Sequence, residues 1–247
     1  MCLIVFAWCP EHPQVLRLAA NRDEFHARPS AALSEWQDAP GVFAGRDLEA
    51  GGTWLGITES GRFAALTNIR DPRQKHGLRS RGELTADYLQ GQLSPMAYLE
   101  QVMARAADYA GFNLLLGDAT QLWHFNSQEG QARRLQPGVY GLCNANLDTP
   151  WPKLLRARQS LQEAPDADDE TLLWVMADTA RPDDHLLPNT GVSLEIERLL
   201  SSVFIASADY GTRASTVLNL EQDGRWSIIE RSFGPHGALL GEVALQK

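Results

Sequence analysis

The 247-residue sequence has ordinary globular composition, with 44% hydrophobic and 21% charged residues, and is long enough to bury a sizeable core. Its 22 basic and 31 acidic residues give a net charge of −9. An acidic surface repels phosphate backbones, so we expect no nucleic-acid partner. The longest apolar run, residues 2–8, is too short to span a bilayer and lacks the features of a secretion signal. Three cysteines without metal-ligand spacing favour a reducing, cytoplasmic setting over a disulfide framework.

The first third of the chain predicts strands arranged as hairpins. Residues 2–8 and 15–20 are apolar runs separated by turn residues, which is typical of a hairpin. Residues 53–58 and 62–69 predict a second hairpin. The pair Gly51-Gly52 precedes it and implies a tight bend of the backbone.

Helices are predicted in the middle of the chain. Ser94-Pro95 is typical of an N-cap followed by the first helical residue, and apolar residues recur at helical spacing as far as Ala106. Residues 151–161 and 170–177 predict two more helices.

The later segments predict further strands. Asp223-Gly224 between two apolar alternations is a strong hairpin signal. Strands at both ends with helices between them favour the α+β class over alternating βαβ units, in a single domain over residues 1–247. The strands of the later segments are predicted at residues 112–117 and 121–125, which form another hairpin through residues 118–120, and at residues 139–144, 203–207, 214–220 and 226–233.

The dipeptide Met1-Cys2 is the first candidate for chemistry. Removal of the methionine would leave a free α-amine on the same residue as a thiol. An α-amine has an unperturbed pKa near 8, so it can act as the base that activates the thiol. The alternative is that Cys2 is a small apolar residue on a buried strand.

The tetrapeptide Asn21-Arg22-Asp23-Glu24 follows the second apolar run directly. If the first hairpin pairs as its turn suggests, this cluster returns to the start of the chain. There a carboxylate could hold the α-ammonium and a guanidinium could face the thiol. The alternative is a solvated loop that leads into Arg28-Pro29.

These motifs and several later ones resemble the NRDE family, also called the transport-and-Golgi-organisation protein two family. That family is similar to N-terminal-nucleophile hydrolases of the bile-salt and penicillin amidase kind, which implies a four-layer αββα sandwich. The matching blocks are Met1-Cys2-Leu3-Ile4, Ala20-Asn21-Arg22-Asp23-Glu24-Phe25, Gly51-Gly52-Thr53-Trp54-Leu55-Gly56, Ala65-Leu66-Thr67-Asn68-Ile69-Arg70, Arg81-Gly82, Gly141-Leu142-Cys143-Asn144-Ala145, Asp148-Thr149-Pro150-Trp151-Pro152-Lys153 and Tyr210-Gly211-Thr212-Arg213.

The resemblance implies a role for each matching site residue. Cys2 would attack an amide or ester carbonyl, and Asp23 would orient its amine. Asn144, with Asn68, would donate to the developing oxyanion. Arg213 would lower the pKa of the thiol.

Arg22 departs from the hydrolase pattern. The hydrolases have an arginine before the asparagine, where this chain has Ala20, and Arg22 follows the asparagine instead. Neighbouring strand residues point to opposite faces, so Arg22 is a weaker match than the other candidates.

The sequence predicts an N-terminal cysteine amidohydrolase acting on a small non-peptide amide or acyl substrate. A haem-binding or haem-trafficking protein is the alternative, with Cys9-Pro10, His26 and His124 as candidate ligands, although Cys9-Pro10 is also a turn. A third hypothesis is a non-enzymatic protein with a structural role in protein interactions. No other cofactor or metal is predicted, and the Arg-rich residues 70–81 predict a loop facing an anionic ligand. The sequence identifies neither the substrate nor the oligomeric state.

Overall fold

The computed structural model describes residues 2–73 and 77–247, and its strands form two antiparallel sheets that face each other. In spatial order, the first sheet contains β10 (Gly138–Leu142), β1 (Cys2–Trp8), β2 (Gln14–Phe25), β11 (Tyr210–Glu221), β12 (Trp226–Phe233) and β13 (Leu239–Gln246). The second sheet contains β3 (Ser30–Trp36), β4 (Ala39–Asp47), β5 (Leu55–Thr58), β6 (Phe63–Asn68), β7 (Phe112–Gly117), β8 (Leu122–Asn126) and β9 (Gln131–Arg134).

Helices cover the outer face of each sheet. Three helices have side-chain caps: Ser94, Asp168 and Ser193 accept from the backbone N–H groups of Ala97, Thr171 and Ile196. The helices α1 and α2 pack on the second sheet, and α3 and α4 on the first. Their bounds, with that of the short α5, are α1 (Gly82–Gln90), α2 (Pro95–Ala104), α3 (Pro152–Glu163), α4 (Asp169–Met176) and α5 (Leu194–Leu199).

The strand β1 shows how the core is divided. Ile4 and Phe6 pack between the two sheets, whereas Leu3 and Val5 pack against α3 and α4. Successive strand residues point to opposite faces, so the sequence of a strand that is covered on both sides is a continuous apolar run. The described chain is therefore a four-layer αββα sandwich, which confirms the predicted α+β class.

All four predicted hairpins are confirmed. The strand pairs β1–β2, β5–β6, β7–β8 and β11–β12 are each antiparallel neighbours. The predicted strand at residues 203–207 is wrong, because this segment is a loop. Its Ile205 bonds to Thr212, and the strand begins only at Tyr210.

Several elements were not predicted from the sequence. The strands β9 and β13 lie mostly exposed, so their residues show little apolar alternation. The helix α1 starts after Arg81, whose side chain makes no capping hydrogen bond, so the usual N-terminal signal is missing. The strands β3 and β4 and the helix α5 were also missed.

None of the helices in the described residues combines the length and the apolar character needed to cross a bilayer.

Candidate active site

Cys2 begins β1 and pairs directly with Arg22 of β2. Directly paired residues of neighbouring strands point to the same face of the sheet. Arg22 therefore shares the inter-sheet face with Cys2, although the hydrolase pattern had made it the weakest candidate. The pairing register, which the turn alone did not specify, decides this point.

A cavity of about 380 Å³ opens at this end of the sandwich. It lies where the first residue of β1 meets the end of β6 and the segment that leads into α1. Its lining includes Cys2, Arg22, Asp23, Trp54, Asn68 and Arg81.

One wall of the cavity depends on a contact between two glycines. The backbone N–H of Thr53 donates to the carbonyl of Gly82 at 3.1 Å. A Cβ on Gly52 would lie 2.3 Å from the carbonyl carbon of Gly82, so only glycine allows this approach. The contact brings Trp54 and Arg81, which follow and precede these glycines, into the same wall.

The Cys2 thiol is partly buried, and burial raises its pKa. The Asp23 carboxylate adds to the rise, while the Arg22 guanidinium and the backbone N–H of Asp23 oppose it. The thiol is therefore protonated at neutral pH and needs a base before it can act as a nucleophile.

Asp23 is buried at the next strand position. Its carboxylate accepts a hydrogen bond from the Thr212 hydroxyl at 2.8 Å. Burial raises the pKa of Asp23, and the Lys153 ammonium is the main charge that opposes the rise. Lys153 is itself buried in the first turn of α3, and its Nζ has no hydrogen-bond partner in the described part of the chain. Sequence reasoning missed Lys153, although it stands in one of the matching blocks.

Asn68 and Asn144 are in contact but face different spaces. The Asn144 side-chain amide donates to the Asn68 carbonyl at 2.8 Å. Asn68 lines the Cys2 cavity, whereas Asn144 lines a neighbouring cavity of about 830 Å³. The structure thus places Asn144 behind Asn68 rather than beside the thiol.

A buried polar network holds the loop that carries Asn144. The Asn113 amide donates to the Thr67 hydroxyl at 3.0 Å and to the Ala145 carbonyl at 2.7 Å. Its oxygen accepts from the Asn126 amide at 2.9 Å and lies 3.2 Å from Nε2 of His124. Burial lowers the pKa of His124 to about 4, so its ring is neutral.

Arg213 lies outside the described lining of the Cys2 cavity. It sits at a register irregularity of β11, and its guanidinium donates to the carbonyls of Phe25 and Arg28, each at 2.9 Å. The side chain thus holds the turn that follows β2. No described contact joins it to the thiol whose pKa it was expected to lower.

The candidate haem ligands lie far apart. Cys9 follows β1 and is exposed, whereas His26 follows the opposite end of the same hairpin, roughly 30 Å away along the strands. His124 is buried in the second sheet within the asparagine network. One haem iron cannot bind Cys9 and His26 together, and the described residues contain no cluster of potential metal ligands.

The Arg-rich segment at residues 70–81 divides between two environments. Arg79 and Arg81 line the Cys2 cavity. Arg70 instead forms an ion pair of 2.7 Å with the buried Glu197. Residues 74–76 lie outside the described residues.

Comparison with known structures supports the fold. A mutant of the conjugated bile acid hydrolase from Clostridium perfringens aligns with a TM-score of 0.56 at 8% identity, over 99% of this chain and 92% of that one. A Caenorhabditis elegans ortholog of N-acylethanolamine-hydrolyzing acid amidase aligns with a TM-score of 0.50 at 11% identity, over 90% of this chain and 93% of that one. At such identities the likeness concerns the fold alone.

Sequence comparison is more specific. The Transport and Golgi organization protein 2 homolog of Bos taurus is 37% identical over 94% of this chain and 93% of its own length. The Homo sapiens homolog is 34% identical over the same shares, and the Drosophila melanogaster protein is 29% identical over 96% of this chain and 95% of its own. The model of the family described as Transport and Golgi organisation 2 matches residues 1–235. The chain belongs to this family.

Proposed function

We propose that the protein is an N-terminal-nucleophile amidohydrolase that acts on a small non-peptide amide or a related acyl bond. Cys2, freed by removal of Met1, is its nucleophile. The observation that carries the proposal is the position of Cys2, which lines a cavity of ligand size beside the buried Asp23.

The chemistry follows from the protonated state of the thiol. The α-amine of Cys2 takes the thiol proton as the sulfur bonds to the carbonyl carbon. The oxyanion collapses, the C–N bond breaks, and the ammonium returns the proton to the leaving amine. Water then attacks the thioester with the same amine as base, which releases the carboxylic acid and restores the thiol.

The neighbouring residues take positioning and stabilising roles. Asp23 orients the α-ammonium, and Asn68, a residue of the cavity lining, donates to the oxyanion through its amide. Asn144 acts through Asn68, because its amide holds the Asn68 carbonyl. Arg22 faces the thiol and opposes the rise of its pKa. Arg213 supports the site only indirectly, through the turn after β2.

The two structural neighbours are named as amide or conjugate hydrolases, which agrees with the proposed reaction class. At 8% and 11% identity they support the scaffold and not a substrate.

The test is the intact mass of the expressed protein before and after brief alkylation near neutral pH. We expect Met1 to be absent and Cys2 to be labelled before Cys9 and Cys143. Acyl amides should then be hydrolysed by the unmodified protein and not by Cys2→Ala. Retained Met1, or a Cys2 that is no more reactive than the other two cysteines, would contradict the mechanism.

A further inference from the structure

Arginine side chains line the Cys2 cavity, and they differ in how their charge is balanced. Arg28 forms ion pairs with Asp47 at 2.8 Å and with Glu49 at 3.0 Å. Arg79 is paired with Glu83 at 2.5 Å. The cavity therefore gains little positive charge from these two arginines.

Arg22 and Arg81 have no such pairing. Arg22 is only 6% exposed, and its guanidinium lies 4.2 Å from the ring centre of Trp54 and donates to the Ser30 hydroxyl at 3.0 Å. The Arg81 guanidinium donates to the Gly111 carbonyl at 3.1 Å. Neither has a carboxylate within ion-pair distance among the residues that the structure describes.

Three carboxylates near these arginines offset part of their charge, and one of them, Asp23, bonds to Thr212 and faces Lys153. Glu24 lies at the rim, where it accepts from the backbone N–H of Phe25 at 2.8 Å. Glu230 is buried behind Arg22 and accepts from the N–H of Leu33 at 2.7 Å. Burial raises the pKa of Glu230 to about 7, so this group is only partly ionised at neutral pH. No ion pair in the described residues joins Arg22 or Arg81 to these carboxylates, so both guanidiniums can pair with a bound anion.

A buried, unpaired guanidinium is unfavourable unless an anion neutralises it, and arginine binds carboxylates through two parallel hydrogen bonds. Arg81 is half-buried, and burial lowers the pKa of its guanidinium although the nearby Glu24 opposes this shift. The cavity of about 380 Å³ suits a small molecule rather than a polymer.

We propose that the ligand of the Cys2 cavity carries a carboxylate close to its reactive carbon and that Arg22 and Arg81 bind this carboxylate. N-acyl amino acids are then preferred substrates over neutral N-acyl amides. The substrate class rests on the proposed function, whereas the binding of a carboxylate does not.

Iodoacetate and iodoacetamide test the carboxylate site without any turnover. With both reagents the sulfur bonds to the methylene carbon and iodide leaves, but only iodoacetate carries a carboxylate. At one cysteine, the thiol pKa and the accessibility of the sulfur affect both alkylation rates in the same way. The ratio of the rate with iodoacetate to the rate with iodoacetamide is therefore independent of both. Cys9 is exposed and serves as the internal reference. We expect the ratio at Cys2 to exceed that at Cys9 by about tenfold.

Arginine variants identify the groups responsible. Arg81→Gln and Arg22→Gln should each lower the Cys2 ratio toward that of Cys9, and Arg81→Lys should retain most of it. Arg225→Gln removes the same charge from an exposed turn and should leave the ratio unchanged. If a variant does not fold, the Cys2 ratio of the unmodified protein can be measured at low and high salt instead. We expect this ratio to fall at high salt, because salt screens the attraction between the arginines and the carboxylate of iodoacetate. Equal ratios at Cys2 and Cys9 would overturn the inference.

Hydrolysis of an N-acylglycine and the N-acylethanolamine with the same acyl chain tests the substrate class. Faster hydrolysis of the N-acylglycine supports the proposed class, and equal rates overturn it while leaving the hydrolase function in place. If neither amide is hydrolysed but the alkylation ratio is high, the proposed function fails and the carboxylate site stands.

Discussion

At the scale of single residues, Asp23 is the group that connects the nucleophile to the helices. It receives a hydrogen bond from Thr212 and faces the buried cation of Lys153, while burial raises its pKa above the ordinary value for a carboxyl. The ionised form of Asp23 is therefore the unfavourable one, and Thr212 and Lys153 help to stabilise it.

The pH profile of hydrolysis should report this balance. A raised pKa means that Asp23 takes up its proton at a higher pH than an ordinary carboxyl, so activity should fall as pH decreases through that value. Asp23→Asn should lower the rate by about a hundredfold and remove this acidic limb. Thr212→Val should move the limb to higher pH, because the hydroxyl stabilises the carboxylate. An unchanged limb in Asp23→Asn would assign it to another group.

At the scale of elements, the contact between Gly52 and Gly82 forms the cavity wall. A Cβ at position 52 would overlap the backbone at the start of α1, and backbone atoms cannot move aside as a flexible side chain can.

Gly52→Ala should therefore lower the free energy of unfolding by about 1–3 kcal/mol and slow the alkylation of Cys2. Denaturant unfolding and mass spectrometry measure the two effects. Gly241→Ala is the matched control, since nothing lies within 4 Å of a Cβ built there. Equal stability of the two variants would contradict this prediction, because it would show that the segments of Gly52 and Gly82 can move apart without loss of stability.

At the scale of the whole molecule, two buried titrating groups act in opposite directions on stability. Glu230 connects β12 to β3 of the opposite sheet, and burial raises its pKa from 4.5 to about 7. The contribution of Glu230 to the free energy of unfolding is complete below pH 4.5 and is lost as pH rises through about 7. Burial lowers the pKa of His124 from 6.5 to about 4, so its contribution is complete above pH 6.5 and is lost as pH falls through about 4.

The two contributions, each on the order of 3 kcal/mol, should largely cancel between pH 4.5 and 6.5. Glu230→Gln should become more stable as pH rises through this range, and His124→Asn should become less stable. Denaturant unfolding at several pH values measures both slopes, and the double variant should restore the slope of the unmodified protein. Parallel slopes in the two single variants would exclude opposed titrations.

The α+β class and the hairpins could be predicted from the sequence, because these features depend on local signals. Apolar runs predict strands that are buried on both faces, and turn residues predict how neighbouring strands pair. The first hairpin also predicted that Asp23 returns near Cys2, which needs no information from the rest of the chain.

Contacts between distant segments determine which side chains share the cavity. Arg22 faces Cys2 because of the pairing register, and Arg81 reaches the same wall because two distant glycines meet. Asn144 lies behind Asn68, and Arg213 turns to backbone carbonyls, although the motifs place both among the site candidates. Each of these outcomes depends on contacts between segments far apart in sequence. A local pattern carries no information about such contacts, because they form only when the sheets and the loop before α1 pack together.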